Sequence, residues 1–77
     1  MKSNYIVPIR TETFVIIESK AEHFNAAIKD YESKGWVADT LTLSVTATYS
    51  PAAQMTLYKY CIVVQRDINA ETGEPII

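Results

Sequence analysis

The sequence predicts an α+β fold: a small antiparallel sheet of three to four strands with one helix packed on a face, in βαββ order. Three patterns carry that expectation. Phe24, Ala27, Ile28 and Tyr31 recur at i, i+3, i+4 and i+7, which gathers them on one face of a helix while Glu22, Asn25, Lys29 and Glu32 point away. Before them, Thr13-Phe14-Val15-Ile16-Ile17-Glu18 is dense in β-branched and aromatic residues and too short for a helix. After them, Leu41, Leu43, Val45, Ala47 and Tyr49 alternate with serine and threonine, the period of a strand with one face in a core and the other in water.

The helix carries its own boundary signals. Ser19-Lys20-Ala21-Glu22 fits the S-x-x-E capping box, with the Ser19 hydroxyl accepting from the Glu22 backbone N–H and the Glu22 carboxylate accepting from that of Ser19. At the other end Gly35 suits the left-handed residue that closes a helix, and Trp36 behind it is placed to lie on Tyr31. Lys34 meets the negative end of the helix dipole.

The run 13–18, apolar on both faces, suggests a central strand. Upstream, Tyr5-Ile6-Val7-Pro8-Ile9 is β-prone, but Pro8 cannot donate to a ladder and restricts the segment to an edge or an irregular arm. Thr40 to Ser50, the turn Ser50-Pro51-Ala52-Ala53-Gln54 and the return strand Met55 to Gln65 read as a long hairpin. The return strand does not alternate cleanly, since Tyr58, Tyr60, Ile62 and Val64 occupy one side and Met55, Leu57, Cys61 and Val63 the other. One helix covers only part of one sheet face, so surplus apolar surface is expected to be met by a second subunit. Residues 1–12 thus read as an N-terminal arm or edge strand, 13–66 as the domain, and 67–77 as a tail that orders only on contact, with turn-forming residues at Glu71-Thr72-Gly73-Glu74-Pro75.

At 77 residues the core is thin, because a chain of this size buries only about 60% of its unfolded surface. Small domains commonly recruit disulfides, a metal or a partner. Cys61 is the single cysteine and His23 the single histidine, too few for an intrachain disulfide or a structural zinc site. Self-association, as a homodimer or higher oligomer, is the remaining support. A net charge of −2 with scattered basic residues argues against direct nucleic-acid binding. No apolar run is long enough to span a bilayer, no signal-peptide pattern follows Met1, and a lone thiol suits a reducing cytoplasm.

No catalytic constellation can be written, and the expectation is a non-enzyme with no cofactor and no metal site. His23, in the first helical turn, has no nucleophile or carboxylate at a motif spacing. Cys61 lies mid-strand, where a thiol acts as a small hydrophobe, with Lys59 as its only nearby cation. The carboxylates occur singly, and two glycines cannot form a phosphate-cradling loop. The candidate binding residues are Tyr49, Tyr58 and Tyr60 on the hairpin, together with Trp36: they either close a core or a subunit interface, or anchor a partner.

The order strand, helix, Ser33-Lys34-Gly35-Trp36 and long hairpin, across residues 13 to 66, resembles a group of short uncharacterised phage and bacterial βαββ proteins with a helix-ending Gly-Trp motif. The chain departs from that group in its N-terminal arm and hairpin length. The resemblance implies pairing through the sheet and a phage or mobile-element origin, and brings no catalytic residues. Small size, acidic charge and surplus aromatic surface then point to a self-associating accessory protein that occupies or inhibits a host or defence protein. The alternatives are an oligomer that sequesters a nucleotide or flavin by stacking, as in the dodecins of similar element order, and a structural or assembly component.

Overall fold

A computed structural model describes residues 7–76. β-branched and aromatic residues build three strands around one helix: β1 (Ile9–Glu18), α1 (Ala21–Ser33), β2 (Val37–Ser50) and β3 (Met55–Asn69). The expected α+β class with βαββ order and an antiparallel sheet is therefore present. The sheet order is β1-β3-β2, with β3 antiparallel to both neighbours. β3, not β1, is central, and the apolar density of residues 13–18 belongs to an edge strand whose Phe14, Val15 and Ile17 remain exposed. From Tyr60 onward β3 is flanked by both other strands, and Cys61 and Val63 on the face away from the helix are half-buried, whereas Met55 and Leu57, beyond the end of β1, are exposed. Of the segment 5–9, residues 5 and 6 lie outside the described residues, Val7 and Pro8 are not in a strand, and Ile9 opens β1.

The core lies where α1 crosses β1 and β3. Ile16, Phe24, Ile62 and Val64 are buried together, with Ala27, Ile28, Tyr31, Trp36, Ala38 and Tyr60 packed around them. The helix buries the face its spacing predicts. Its start differs: Lys20 is the N-cap, no side chain caps it, and the helix opens on the Phe24 N–H donating to the Lys20 carbonyl at 2.9 Å. The Ser19 capping box does not form, because Ser19 belongs to the bend between β1 and the helix, one residue too early.

The helix ends as its sequence predicts. Gly35 adopts a φ of 90°, its N–H donates to the Glu32 carbonyl at 3.1 Å, and the Trp36 N–H reaches back to the Tyr31 carbonyl at 3.1 Å. This is the Schellman pair of hydrogen bonds. Trp36 and Tyr31 meet edge to face with ring centroids 5.5 Å apart. That contact turns the chain into β2.

β2 is interrupted. It pairs with β3 through Asp39↔Val63 and resumes at Ser44↔Cys61, so Thr40 to Leu43 oppose Ile62 alone. A bulge of three extra residues inverts the alternation, because an odd insertion exchanges the faces. The Thr42 hydroxyl fills the gap in the ladder, accepting from the Val63 N–H at 2.8 Å and donating to the Asp39 carbonyl at 2.7 Å. Leu41 is thrown to the tip of the bulge and is 95% exposed. The expected single core-facing row from Leu41 to Tyr49 is therefore broken. Val45, Ala47 and Tyr49 do lie on the helix side of the sheet, opposite Tyr60, Tyr58 and Thr56, but beyond the helix's cover.

The C-terminal stretch is folded back on the domain. β3 continues to Asn69, and Ile68 is only 1% exposed. Asn69 donates its N–H to the Glu74 carbonyl at 2.8 Å while its side chain accepts from the N–H groups of Glu71 and Thr72. Ile68 bridges Pro75, and the Ile76 N–H donates to the Asp67 carbonyl at 3.0 Å. Turn residues that read as a free tail instead make a reverse turn against the end of β3, anchored by a buried isoleucine.

The molecule is elongated, with extents of 70 × 19 × 17 Å and a radius of gyration of 17.8 Å, where a compact chain of this length has about 11.5 Å. Its accessible surface is 6058 Å², against about 4,700 Å² for a compact chain of its mass.

Two substitutions test this account. Ile68→Ala is expected to cost about 2–4 kcal/mol in urea unfolding, as for a buried core residue. Thr42→Val, which leaves the Val63 N–H without its acceptor, is expected to cost about 1–2 kcal/mol, and Thr42→Ser distinctly less because the hydroxyl is kept.

Candidate functional site

β1 ends at Glu18, which pairs with Tyr60, whereas β2 and β3 run on through Thr46↔Lys59 to Ser50↔Met55. Beyond that point the sheet is a two-stranded arm with open faces and edges. The turn at its tip, Pro51 to Gln54, is closed by the Ala53 N–H donating to the Ser50 hydroxyl at 3.3 Å, with Gln54 at a φ of 52°. On its helix-side face stand Val45 (54% exposed), Tyr49 (61%) and Tyr58 (48%), and on the reverse Met55 and Leu57, both about half exposed. From Thr40 to Tyr58 the chain carries no charged residue.

The four expected binding residues fall in three places. Tyr49 and Tyr58 share the open arm face, Tyr49 pairing with Thr56 and Tyr58 with Ala47. Tyr60 is the link to the core: its ring lies 6.3 Å from that of Tyr58 and 5.6 Å from that of the buried Phe24. The aromatic row therefore runs from the hydrophobic core out along the arm.

Trp36 takes part in a different cluster at the far end of the helix. Phe14 stacks on Tyr31 at 5.2 Å, Tyr31 meets Trp36, and the Arg66 guanidinium sits 4.7 Å from the centre of the Trp36 ring. Glu12, the cross-strand partner of Arg66, accepts from Arg66 Nε at 2.8 Å. Held by a carboxylate and an aromatic face, Arg66 is tied into the fold, and the contact helps fix the helix C-terminus on the sheet. A shallow depression of about 310 Å³ beside it, lined by Thr11, Gly35, Val37 and Asp67 among others, thus has its one cation already engaged.

A further depression, of about 530 Å³, opens beside the arm where β1 stops, lined by Ser19, Lys20, Met55, Thr56, Leu57 and Tyr58. It is apolar with a single ammonium at its rim. His23 is exposed on the first helical turn, and Cys61 is half-buried on the face away from the helix. Among the described residues no three His, Cys, Asp or Glu side chains come together in a way that could hold a metal ion, and no helix is long and apolar enough to cross a membrane.

The hairpin tyrosines stand out in the sequence, whereas Val45 beside them, and Met55 and Leu57 on the reverse of the arm, do not. The signal was present in the absence of charge between Asp39 and Lys59. Compared with known protein families, curated proteins and solved structures, the chain matches none.

The division between the tyrosines has a measurable consequence. Tyr60→Ala is expected to destabilise by about 2–3 kcal/mol through its contact with the Phe24 cluster, whereas Tyr58→Ser and Tyr49→Ser each stay within about 0.5–1 kcal/mol of the parent in thermal or denaturant unfolding.

Proposed function

We propose that the protein is a non-enzymatic binding protein that self-associates and uses its projecting hairpin arm to occupy a surface of a second protein. The observation that carries this reading is the arm itself: a stretch without charge, from Thr40 to Tyr58, presenting half-exposed Val45, Tyr49, Met55, Leu57 and Tyr58. Interface cores are depleted in charged residues and enriched in tyrosine and methionine. A two-stranded ribbon open on both faces is marginal in water by itself and is stabilised when something covers it.

The distribution of charge supports a protein as the target. All nine acidic residues lie outside the segment 40–58, and Lys59 is the only basic residue on the arm, so there is nothing with which to track phosphates. The acidic base can steer the chain toward a basic partner while the arm makes the close contact. The proposed partner class is a host or defence protein, the class expected from the sequence. Sequestration of a planar ligand finds less support, because Trp36 is engaged by Tyr31 and Arg66 at the other end of the helix.

The test is capture of partners from a host lysate with the parent chain and with the triple variant Val45→Thr, Tyr49→Ser, Tyr58→Ser, whose fold is checked by circular dichroism. A stoichiometric partner held by the parent and lost by the variant, at least tenfold weaker in titration, is expected. Recovery of the chain alone, or a partner held equally by both, would overturn the proposal.

A further inference from the structure

We propose that two copies of this chain pair edge to edge through β2, antiparallel and in one register, with Ser44–Ser50 of each copy centred on Ala47. The inference deepens the binding reading above and rests on it only in treating the arm as contact surface.

The two outer edges of the sheet are unlike. β1 carries Arg10, Glu12 and Glu18 and is preceded by Pro8, the charges and proline that keep an edge from pairing. β2 from Thr40 to Ser50 has neither charge nor proline, and among the described residues no strand lies on its outer side. The open edge of β3 beyond β1 is only Met55 to Lys59, and it ends in an ammonium. Beyond its bulge, β2 from Ser44 to Ser50 is therefore the edge that no charge, proline or described strand blunts.

The occupant follows from symmetry and from the match of the edge to itself: Ser44–Ser50 carries no charge and offers valine, tyrosine and threonine to an antiparallel copy of the same segment. A second copy supplies an identical edge, and two identical edges pair across a two-fold axis.

The register is set by what limits the regular part of β2. The bulge ends at Leu43 and Pro51 follows Ser50, so seven residues, Ser44 to Ser50, are free to pair, with Ala47 at their midpoint. Antiparallel pairing about Ala47 sets Val45 opposite the partner's Tyr49, and Thr46 opposite the partner's Thr48. Those are an aromatic with a β-branched residue on the helix side, and two threonines on the reverse, both favourable cross-strand pairs. The result is a six-stranded sheet, β1-β3-β2-β2-β3-β1, in which the two arms shield each other's edges.

Two measurements test the pairing. With Cys61→Ser in place, Ala47→Cys is expected to form a disulfide-linked dimer under mild oxidation, because directly opposed residues of an antiparallel pair fall within disulfide reach. Thr13→Cys on β1 should not. Separately, on the otherwise unaltered chain, Ala47→Lys opposes two ammonium groups and is expected to weaken the dimer at least tenfold in sedimentation equilibrium, whereas Thr13→Lys leaves it unchanged. A monomeric parent at about 100 μM, crosslinking by Thr13→Cys as efficient as by Ala47→Cys, or a dimer that survives Ala47→Lys but is lost with Ile17→Lys on the open sheet face would each overturn the pairing. If the parent is monomeric yet still captures a foreign protein through its arm, edge pairing and self-association both fail while the arm's occupation of a second protein stands.

Discussion

The shape of this protein depends on a mismatch of lengths. α1 has 13 residues, about 20 Å of helix, and β3 has 15, about 50 Å of strand. A helix that short covers well under half of the strand beneath it. The core consequently concentrates at Ile16, Phe24, Ile62 and Val64, and the hairpin beyond Tyr60 projects as a ribbon that no other element among the described residues covers. The large surface, the elongated outline and the exposed tyrosines all follow from that single disproportion.

Two devices make the arrangement hold. At the helix C-terminus, Gly35 in the left-handed conformation lets Trp36 fold under Tyr31, and Arg66 then joins the Trp36 ring to Glu12 on β1. Helix, first strand and central strand are thereby linked at one end. At the bulge, Thr42 replaces a missing backbone partner with its hydroxyl. The odd number of inserted residues then transfers Val45, Ala47 and Tyr49 to the helix side, so that Tyr49 and Tyr58 share one face of the arm. An even insertion would have left the alternation intact and set Tyr49 on the opposite face.

Much of the fold was legible because local chemistry determined it. The helix face and the Gly35-Trp36 stop depend on spacing and on one glycine, and both formed as read. Most of what differs depends on residues distant in sequence. The density of residues 13–18 could not reveal whether β1 would be flanked on one side or two, because that is decided by where β3 inserts. The Ser19 capping box was consistent with its motif, yet the chain entered the helix one residue later. The bulge was hidden inside an unbroken alternation of apolar and hydroxyl residues, and only pairing with β3 exposes the extra length. The turn residues after Asp67 were correctly seen as turn-forming, but the burial of Ile68 depends on their folding back along β3.

Aromatic residues alone did not define the candidate site, since Trp36 and Tyr60 turned out to support the fold while Tyr49 and Tyr58 stand in the open. Absence of charge is the more informative property. A ribbon exposed to water on both faces would ordinarily carry lysines and glutamates, which keep it soluble and discourage stray pairing. This one carries a row of threonines and serines along one strand and apolar side chains on the other. Hydroxyl side chains add little to solubility and impose no repulsion on an approaching strand, so the edge stays open to pairing. A composition that is a liability for an isolated monomer is suitable for a surface that a partner covers.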